Sequence, residues 1–206
     1  YKVGRKTVRR LMQLMSIYAI YPKANLSKRN FKESIVPYLL RNYAVNFPNQ
    51  VWSIDITYIP MPMGHMYLTA IIDWYSRKIV GHYLSDTLDT ESVIHTVKEA
   101  VAKHGIPAIL NSDQGCQFTS AEYKTLLKSL QIRQSMDGRS RWADNIMIER
   151  WFRSLKTEQI YPNEYHSPKE LRKLIGDYVH AYNTERPHEA LEYAVPDAVY
   201  YGMFAA

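Results

Sequence analysis

Hydrophobic and polar positions alternate between residues 50 and 86. The stretch "QVWSIDITYIP" (50–60) alternates and is rich in β-branched and aromatic residues, which predicts a strand. "HMYLTAIIDWYS" (65–76) and "RKIVGHYLSD" (77–86) predict a second and a third strand, and "PMPMG" (60–64) is typical of a turn. Three strands with short connections predict an antiparallel meander.

Helical and strand patterns then alternate up to residue 136. Thr90 to Lys103 repeats its apolar residues at helical spacing, and Thr90 is the predicted N-cap. "AILN" (108–111) and "QIRQSM" (131–136) predict a fourth and a fifth strand. Between them, "TSAEYKTLLKSL" (119–130) predicts a helix that is capped by Thr119 or Ser120.

Two longer helical patterns complete the chain. Residues 143–161 predict a helix whose core stripe is Ile148, Trp151 or Phe152, and Leu155, and residues 167–187 predict a final helix that ends at Pro187. Strands, then alternating helices and strands, then helices predict a mixed α/β layer fold. The same order of elements is found in a ribonuclease H-like domain.

The first 48 residues follow a different pattern. Residues 6–18 predict a helix with one short apolar face, formed by Val8, Leu11, Met12 and Met15, and we expect that face to pack on a preceding part of a longer protein. Residues 19–48 contain three prolines and scattered basic residues, which predicts an irregular basic linker. The predicted organisation is therefore a helical arm (1–18), a linker (19–48) and a core domain (49–201).

Composition and charge limit the possible classes. No apolar run approaches the roughly 18–20 residues that cross a bilayer, and the single cysteine, Cys116, excludes a disulfide framework and a multi-cysteine zinc site. We therefore expect a cytoplasmic protein with no membrane partner. Residues 1–50 hold ten Lys and Arg but only one acid, whereas the rest is mildly acidic. A basic arm on such a body favours a polyanionic partner, although a solvated tail would have the same composition.

Three acids stand at positions where they could converge. Asp55 lies in the middle of the first strand, where Asp is disfavoured; an exposed face of an edge strand is the simpler explanation. Asp113 follows the fourth strand, and Asp-x-Gly by itself is typical of a turn. Glu149 lies on its helix opposite the apolar stripe, with Arg153 and Lys156 on its own side.

Carboxylates from two neighbouring strands and a covering helix repel one another unless a cation holds them. Mg²⁺ suits such a site, because it takes few protein carboxylates and keeps positions for water and phosphate oxygens. Two such ions roughly 3.5–4 Å apart can activate a nucleophile and stabilise the leaving oxygen of a phosphodiester. Arg153 and Lys156 would hold a polyanionic phosphodiester backbone without reading its sequence.

Successive blocks of the chain resemble the OrfB-type transposases of insertion sequence family three. The blocks are "VWSIDITYI", "YLTAIIDWYSRKIVG", "NSDQGCQFTS", "SMDGRSRWADNIMIERWFRSLKTE" and "YNTERPHEAL". They follow one another over about residues 48–200. The hallmark of that family is Asp, Asp, then Glu after 35 intervening residues, and residues 114–148 number 35.

The resemblance implies a ribonuclease H-like fold, as in the retroviral integrase catalytic core, with a mixed five-stranded sheet flanked by helices. It implies that Asp55, Asp113 and Glu149 bind Mg²⁺, or Mn²⁺ in its place, as two ions, and catalyse cleavage at transposon ends followed by strand transfer. It also implies that Lys156 contacts the element end. Double-stranded DNA, self-association and an upstream OrfA-type product are the implied partners.

The family has a full helix-turn-helix before the core, and this chain resembles it only from the last helix of that motif. We expect Lys6, Arg9 and Arg10 of this helix to bind DNA. The chain is then expected to be shorter than a full OrfB product. A DNA-binding remnant that acts as a repressor and a nuclease for RNA/DNA hybrids remain the alternatives.

Several other residues could have functional roles, but a structural role explains each of them as well. Asp73 is expected in a turn or paired with Arg77, and Asn145 either orients Glu149 or caps its helix. Tryptophans 142 and 151 are expected to anchor the core or a loop. A structural role is expected for His188, Arg186 and Asn183, and no reactivity is expected for Cys116.

Overall fold

The computed structural model describes residues 3–15, 36–137 and 145–203, which divide into two compact units at residues 33 and 34. In the first unit, helix α1 (Arg5–Leu14) is shorter than the predicted one, and residues 16–18 of that prediction lie outside the described residues. Its expected apolar face is not covered, since Val8 is 43% and Leu11 44% exposed.

The second unit is built on a five-stranded sheet. Its strands are β1 (Val51–Pro60), β2 (His65–Asp73), β3 (Ile79–Ser85), β4 (Ile109–Ser112) and β5 (Arg133–Met136). They lie in the order β3-β2-β1-β4-β5. β1, β2 and β3 form the predicted antiparallel meander, whereas β4 pairs parallel to both β1 and β5. β1 is thus the central strand, and the interpretation of Asp55 as an edge-strand residue is wrong.

Helices cover both faces of this sheet. They are α2 (Thr90–His104), α3 (Cys116–Thr119), α4 (Ala121–Ser129), α5 (Ile146–Leu155), α6 (Pro168–Thr184) and α7 (Pro196–Tyr201). A π-helical turn, Lys156–Ile160, continues α5, and a 3₁₀ turn, Glu189–Leu191, follows α6. None of the helices in these described stretches combines the length and apolarity that a membrane span needs.

Side-chain alternation in β1 assigns its residues to two cores. Trp52 and Ile54 point to the face that is covered by α2 and α4, where they are fully buried. The opposite face packs against α5 and α6 through residues such as Ile59, and Asp55 shares its parity. Because side chains of a strand alternate between faces, Asp55 and the helix that carries Glu149 lie on the same side of the sheet.

Local signals set most helix ends, with one correction. The N-cap of α2 is Asp89 rather than Thr90, because the Asp89 carboxylate accepts a hydrogen bond from the Ser92 amide at 2.8 Å. Ser120 caps α4 through the Tyr123 amide at 3.2 Å, as one of the two predicted alternatives has it. Gly105 follows α2 with φ of 86°, a conformation that favours glycine.

The described part of the predicted linker, residues 36–48, contains no helix or strand. It nevertheless packs on the sheet, because Leu40 is buried against Val51 and Ile109. The Leu39 amide also donates to the Ser135 hydroxyl at 3.1 Å. This segment therefore contributes to the core of the second unit.

Candidate active site

Asp55 lies at the point where β1 leaves the buried core. The strand is fully buried from Val51 to Ile54, and Asp55 is the first of its residues to be partly exposed. One carboxylate oxygen, Oδ1, accepts a hydrogen bond from the Ile56 amide at 2.8 Å, which leaves the other oxygen for a ligand. The carboxylate is therefore held by a rigid strand and reaches the cleft.

Asp113 follows β4 directly and is exposed. Because β4 runs parallel to β1, with Asn111 opposite Ser53, the end of β4 lies beside the middle of β1. The Asp113 carboxylate accepts a hydrogen bond from the Gly115 amide at 2.7 Å, so it closes a tight turn. Asp113 is thus the turn residue that the Asp-x-Gly pattern predicts, and it is also a neighbour of Asp55.

Gly115 is needed in this turn for space and not for its backbone freedom. Its φ of −57° is open to any residue, so this turn does not use the positive φ that glycine allows. A Cβ at this position would lie 2.8 Å from Oδ1 of Asp113. The missing side chain therefore allows the carboxylate to take its position.

Glu149 lies in the first turn of α5 on its exposed side. The predicted stripe on the other side of the helix is buried, with Ile148 and Leu155 at 0% exposure and both Trp151 and Phe152 at 5% or less. This buried stripe fixes the rotation of the helix. A carboxylate near a helix N-terminus is also favoured by the helix dipole.

The electrostatics of Asp55 show that these acids are neighbours. Burial and, to a smaller extent, the charges of Asp113, Glu149 and Asp137 together raise the pKa of Asp55 to about 7, against the lowering effect of the Ile56 amide. Carboxylates that face one another in this way favour a bound cation. We call Asp55, Asp113 and Glu149 the acidic cleft.

Two grooves meet at Asp55. One, of about 320 Å³, runs between Asp55 and Glu149 and is bordered by Arg153, Lys156 and Tyr161. The other, of about 160 Å³, runs between Asp55 and Asp113. Asp55 is thus shared, and each of the other two acids faces it across its own groove.

The donor atoms of the acidic cleft suit a hard divalent cation, since all are carboxylate oxygens. Within the described ranges, no three His, Cys, Asp or Glu side chains are close enough together to hold one ion. Mg²⁺ usually takes only one or two protein carboxylates and completes its shell with water and phosphate. The cleft fits that pairwise mode, with Asp55 and one further acid for each ion.

Basic side chains border the same cleft. Arg153 is exposed on α5, one turn after Glu149, and Lys156 begins the π-helical turn. Burial lowers the pKa of Lys156. Lys6, Arg9 and Arg10 are exposed on α1, which belongs to the other unit.

Asp137 is an acid of this site that the sequence reasoning missed. It follows β5, and its carboxylate accepts a hydrogen bond from the Asn111 amide group at 2.7 Å. The Gln114 side chain donates to the Asp137 carbonyl oxygen at 2.9 Å. The signal was available, because an acid directly after a strand parallel to β4 must lie at the same edge of the sheet as Asp113.

Two of the remaining polar residues have structural roles. Asp73 closes the turn after β2 by accepting hydrogen bonds from the Ser76 amide and hydroxyl at 2.8 and 2.7 Å, which confirms the turn interpretation. Asn183 holds β3, since its side chain accepts from the Ile79 amide at 2.9 Å and donates to the Ile79 carbonyl at 3.0 Å.

The expectations for Asn145 and for the two tryptophans have different outcomes. Asn145 occupies the N-cap position of α5, but its side chain makes no capping hydrogen bond, so the expectation that it caps the helix through that side chain is wrong. Trp151 is a core residue, as expected. Trp142 lies outside the described residues.

Comparison with known proteins agrees with this architecture. The integrase core domain family matches residues 46–141, and a second integrase core domain family matches residues 130–196. The transposase for insertion sequence element IS904 of Lactococcus lactis is 34% identical over 197 residues, which cover 93% of this chain and 78% of that protein. The transposase InsF for insertion sequence IS3A of Escherichia coli is 31% identical over 153 residues. The chain belongs to the IS3-type transposases.

This transposase aligns over 73% of its own length with InsF, but over only 53% of the InsF chain. Among solved structures, the integrase catalytic core domain of HTLV-2, determined in complex with magnesium, has a TM-score of 0.60 at 19% identity. The match covers 75% of this chain and 97% of that one. The shared fold confirms the predicted mixed sheet with flanking helices for this transposase.

Proposed function

We propose that the acidic cleft catalyses the cleavage of transposon ends and the strand transfer that follows. The observation that carries the proposal is that Asp113 and Glu149 each face the partly buried Asp55 across a groove, in a member of the IS3-type transposases. Asp55 with Glu149, and Asp55 with Asp113, would each hold one Mg²⁺ or Mn²⁺. When bound, such cations activate the attacking oxygen and stabilise the leaving one.

The reaction itself needs no energy-rich cofactor. In cleavage, water attacks a phosphodiester and a 3′-hydroxyl leaves; in strand transfer, that 3′-hydroxyl attacks another phosphodiester and a different 3′-oxygen leaves. One phosphorus–oxygen bond forms and one breaks in each step. The rigid positions of Asp55 in the central strand and of Asp113 in its tight turn orient the reacting phosphate.

The positive side chains beside the cleft would hold the DNA. Arg153 and Lys156 border the groove of Glu149, so a strand that enters this groove passes both of them. Lys6, Arg9 and Arg10 give α1 a cationic surface for a further stretch of DNA. Two DNA ends must be brought together for joining, so we also propose that the chain works as a multimer, with an OrfA-type product as a further partner.

The test is cleavage and joining of a labelled duplex that carries the inverted repeat flanking the gene for this chain. Wild type should give products with Mg²⁺ or Mn²⁺ and none with EDTA, whereas Glu149→Gln and Asp113→Asn should give none. Asp86→Asn is the matched control, because Asp86 is an exposed acid outside both grooves. All variants should bind the duplex like wild type.

Joining that survives Asp113→Asn would overturn the assignment of the acidic cleft. A chain that binds the duplex in a salt-dependent way but makes no product with either metal would instead favour the repressor-like remnant. Cleavage of RNA/DNA hybrids in preference to the terminal-repeat duplex would favour the nuclease alternative.

A further inference from the structure

A second concave site lies on another side of α5. It is a pocket of about 280 Å³ between the β2–β3 turn, the helix and the segment that follows α6. Its basic lining residues are Arg77, Arg150, Arg186 and His188, and we call it the arginine pocket. None of these four residues lines either groove of the acidic cleft.

Two of the three guanidinium groups make no ion pair within the described residues. Arg186 donates from Nη2 to the Glu158 carboxylate at 2.8 Å and pairs with it a second time through Nη1. Among the described residues, by contrast, the side chains of Arg77 and Arg150 make neither a hydrogen bond nor an ion pair.

The charges around Arg77 act in both directions. Burial lowers the pKa of Arg77, and the charge of Arg150 also lowers it, whereas Tyr182 and Asp73 raise it. The pocket therefore brings three guanidinium groups together, and in the part of the chain that the structure describes only Arg186 is paired directly with a carboxylate.

His188 adds an unused polar atom to the same pocket. Its Nε2 is buried and has no hydrogen-bond partner in the described part of the chain. The ring is held edge-on against Tyr182, with centroids 4.9 Å apart, and burial lowers its pKa, as do the charges of Arg186 and Arg77. A buried polar atom without a partner is costly unless a ligand completes it.

These groups match the chemistry of a phosphate. Guanidinium groups present paired N–H donors that fit the two free oxygens of a phosphodiester. The rest of the lining includes Ile72, Ile146 and Met147, which offer an apolar surface to the attached sugar. An anion with an apolar neighbour is thus the ligand class that the pocket fits.

The position of the pocket indicates where this phosphate would come from. The pocket and the acidic cleft share helix α5, and a helix with its side chains is about 10–12 Å across. Successive nucleotides of a DNA strand rise by about 3.4 Å. A strand that reaches both sites would therefore place a phosphate in the pocket within a few nucleotides of the one at the cleft.

We propose that the arginine pocket binds a backbone phosphate of the DNA that is engaged at the acidic cleft, a few nucleotides from the reacting phosphodiester. This inference rests on the proposed function for the identity of the ligand. It assigns Arg77, Arg150 and His188 to phosphate binding, with Arg186 held in place by Glu158.

Salt-dependent DNA binding in EDTA tests the pocket apart from catalysis. The slope of log K against log salt falls by about 0.9 for each phosphate of B-form DNA that the protein no longer neutralises. We expect the double variant Arg77→Gln/Arg150→Gln to reduce the slope by about that much on a duplex of the terminal repeat. Lys98→Gln/Lys128→Gln is the control for net charge, because it also removes two positive charges and both lysines are exposed outside the pocket.

A slope change in Arg77→Gln/Arg150→Gln no larger than that in Lys98→Gln/Lys128→Gln would overturn the proposal. Thermal melting of the variants checks folding, and Arg150→Gln alone repeats the test if the double variant is unfolded, since Arg150 is exposed. The outcome is independent of the cleavage assay: loss of products in Glu149→Gln with an unchanged slope supports only the cleft. The reverse pattern supports only the pocket.

A second measurement distinguishes DNA from an acidic protein partner. The His188 imidazole signals are followed by NMR while a single-stranded DNA hexamer, or an Asp/Glu-rich decapeptide, is added. We expect the hexamer to shift these signals in wild type and not in Arg77→Gln/Arg150→Gln. Shifts caused by the peptide alone, or by neither probe, would overturn the proposal.

Discussion

The two sides of α5 differ in the sign of the charge that they gather. One side faces the acidic cleft, where burial and then the neighbouring carboxylates raise the pKa of Asp55. The other side faces the arginine pocket, where burial and, to a smaller extent, Arg150 lower the pKa of Arg77. In both places a partly buried charged group has neighbours of the same charge. Such an arrangement costs stability unless a ligand of opposite sign is bound. The comparison teaches that unfavourable electrostatics can mark binding sites of both signs on one helix.

Trp151→Ala should disturb both the acidic cleft and the arginine pocket. Trp151 is buried in the core beneath α5 and also lines the arginine pocket, so its loss leaves a cavity under the whole helix. We expect a destabilisation of about 3–5 kcal/mol, measured by urea unfolding. Trp151→Phe is the control: the indole N–H has no partner among the described residues, so replacing it should cost much less. Equal losses in the two variants would contradict this explanation.

Gly115→Ala should affect the acidic cleft alone. The added Cβ would lie 2.8 Å from the Asp113 carboxylate and push it from its place. Misplacement by about 1 Å can cost 10²-fold in rate, so we expect a loss of joining of about that size with little change in unfolding free energy. Gly176→Ala, where no atom would meet the new Cβ, is the control. Normal joining by Gly115→Ala would show that the Asp113 position tolerates such a shift.

Asp55→Asn should make stability less sensitive to pH in EDTA. Asp55 titrates near pH 7 when folded and near 3.8 when unfolded, so the folded state holds the extra proton between these values. Wild type therefore loses stability as the pH rises through this window. We expect Asp55→Asn to gain about 1–3 kcal/mol relative to wild type between pH 4 and pH 8, measured by urea unfolding. A pH-independent difference would contradict the raised pKa.

Lys156→Gln should have the smallest of these effects. Lys156 borders the groove of Glu149, and its replacement removes one expected interaction with a phosphate. The salt slope of binding should then fall by about 0.9, with a several-fold weaker complex at low salt. Lys156→Arg keeps the charge and should restore most of the affinity. If Lys156→Gln matched Lys98→Gln, Lys156 would not bind a phosphate.

The sequence allowed the acidic cleft to be predicted because its parts follow from local rules. Strand alternation assigned Asp55 to a face, the end of β4 located Asp113, and the apolar stripe of α5 pointed Glu149 outwards. Whether Asp89 or Thr90 caps α2 could not be decided, since adjacent residues of both types are good caps. Why glycine is needed at position 115 could be learned only from the structure, because no sequence pattern indicates that an added Cβ would approach a carboxylate closely.

The arginine pocket could not be predicted in this way. Arg77, Arg150 and His188 lie in a turn, a helix and an irregular segment, and no periodicity joins them. Their proximity depends on how α5 and α6 pack on β2 and β3, which is a property of the assembled core. Asp137 is intermediate, because the parallel pairing of β4 and β5 would have located it.

The parallel pairing of β4 with β1 also orders the events of folding. The meander of β1 to β3 joins residues that are close in the chain and is expected to form early, whereas β4 returns to β1 only after α2. During synthesis the chain emerges from its N-terminus, so Asp55 is placed in a strand before Asp113 and Glu149 have left the ribosome. A nascent chain thus carries no complete acidic cleft until α5 has emerged and packed on the sheet.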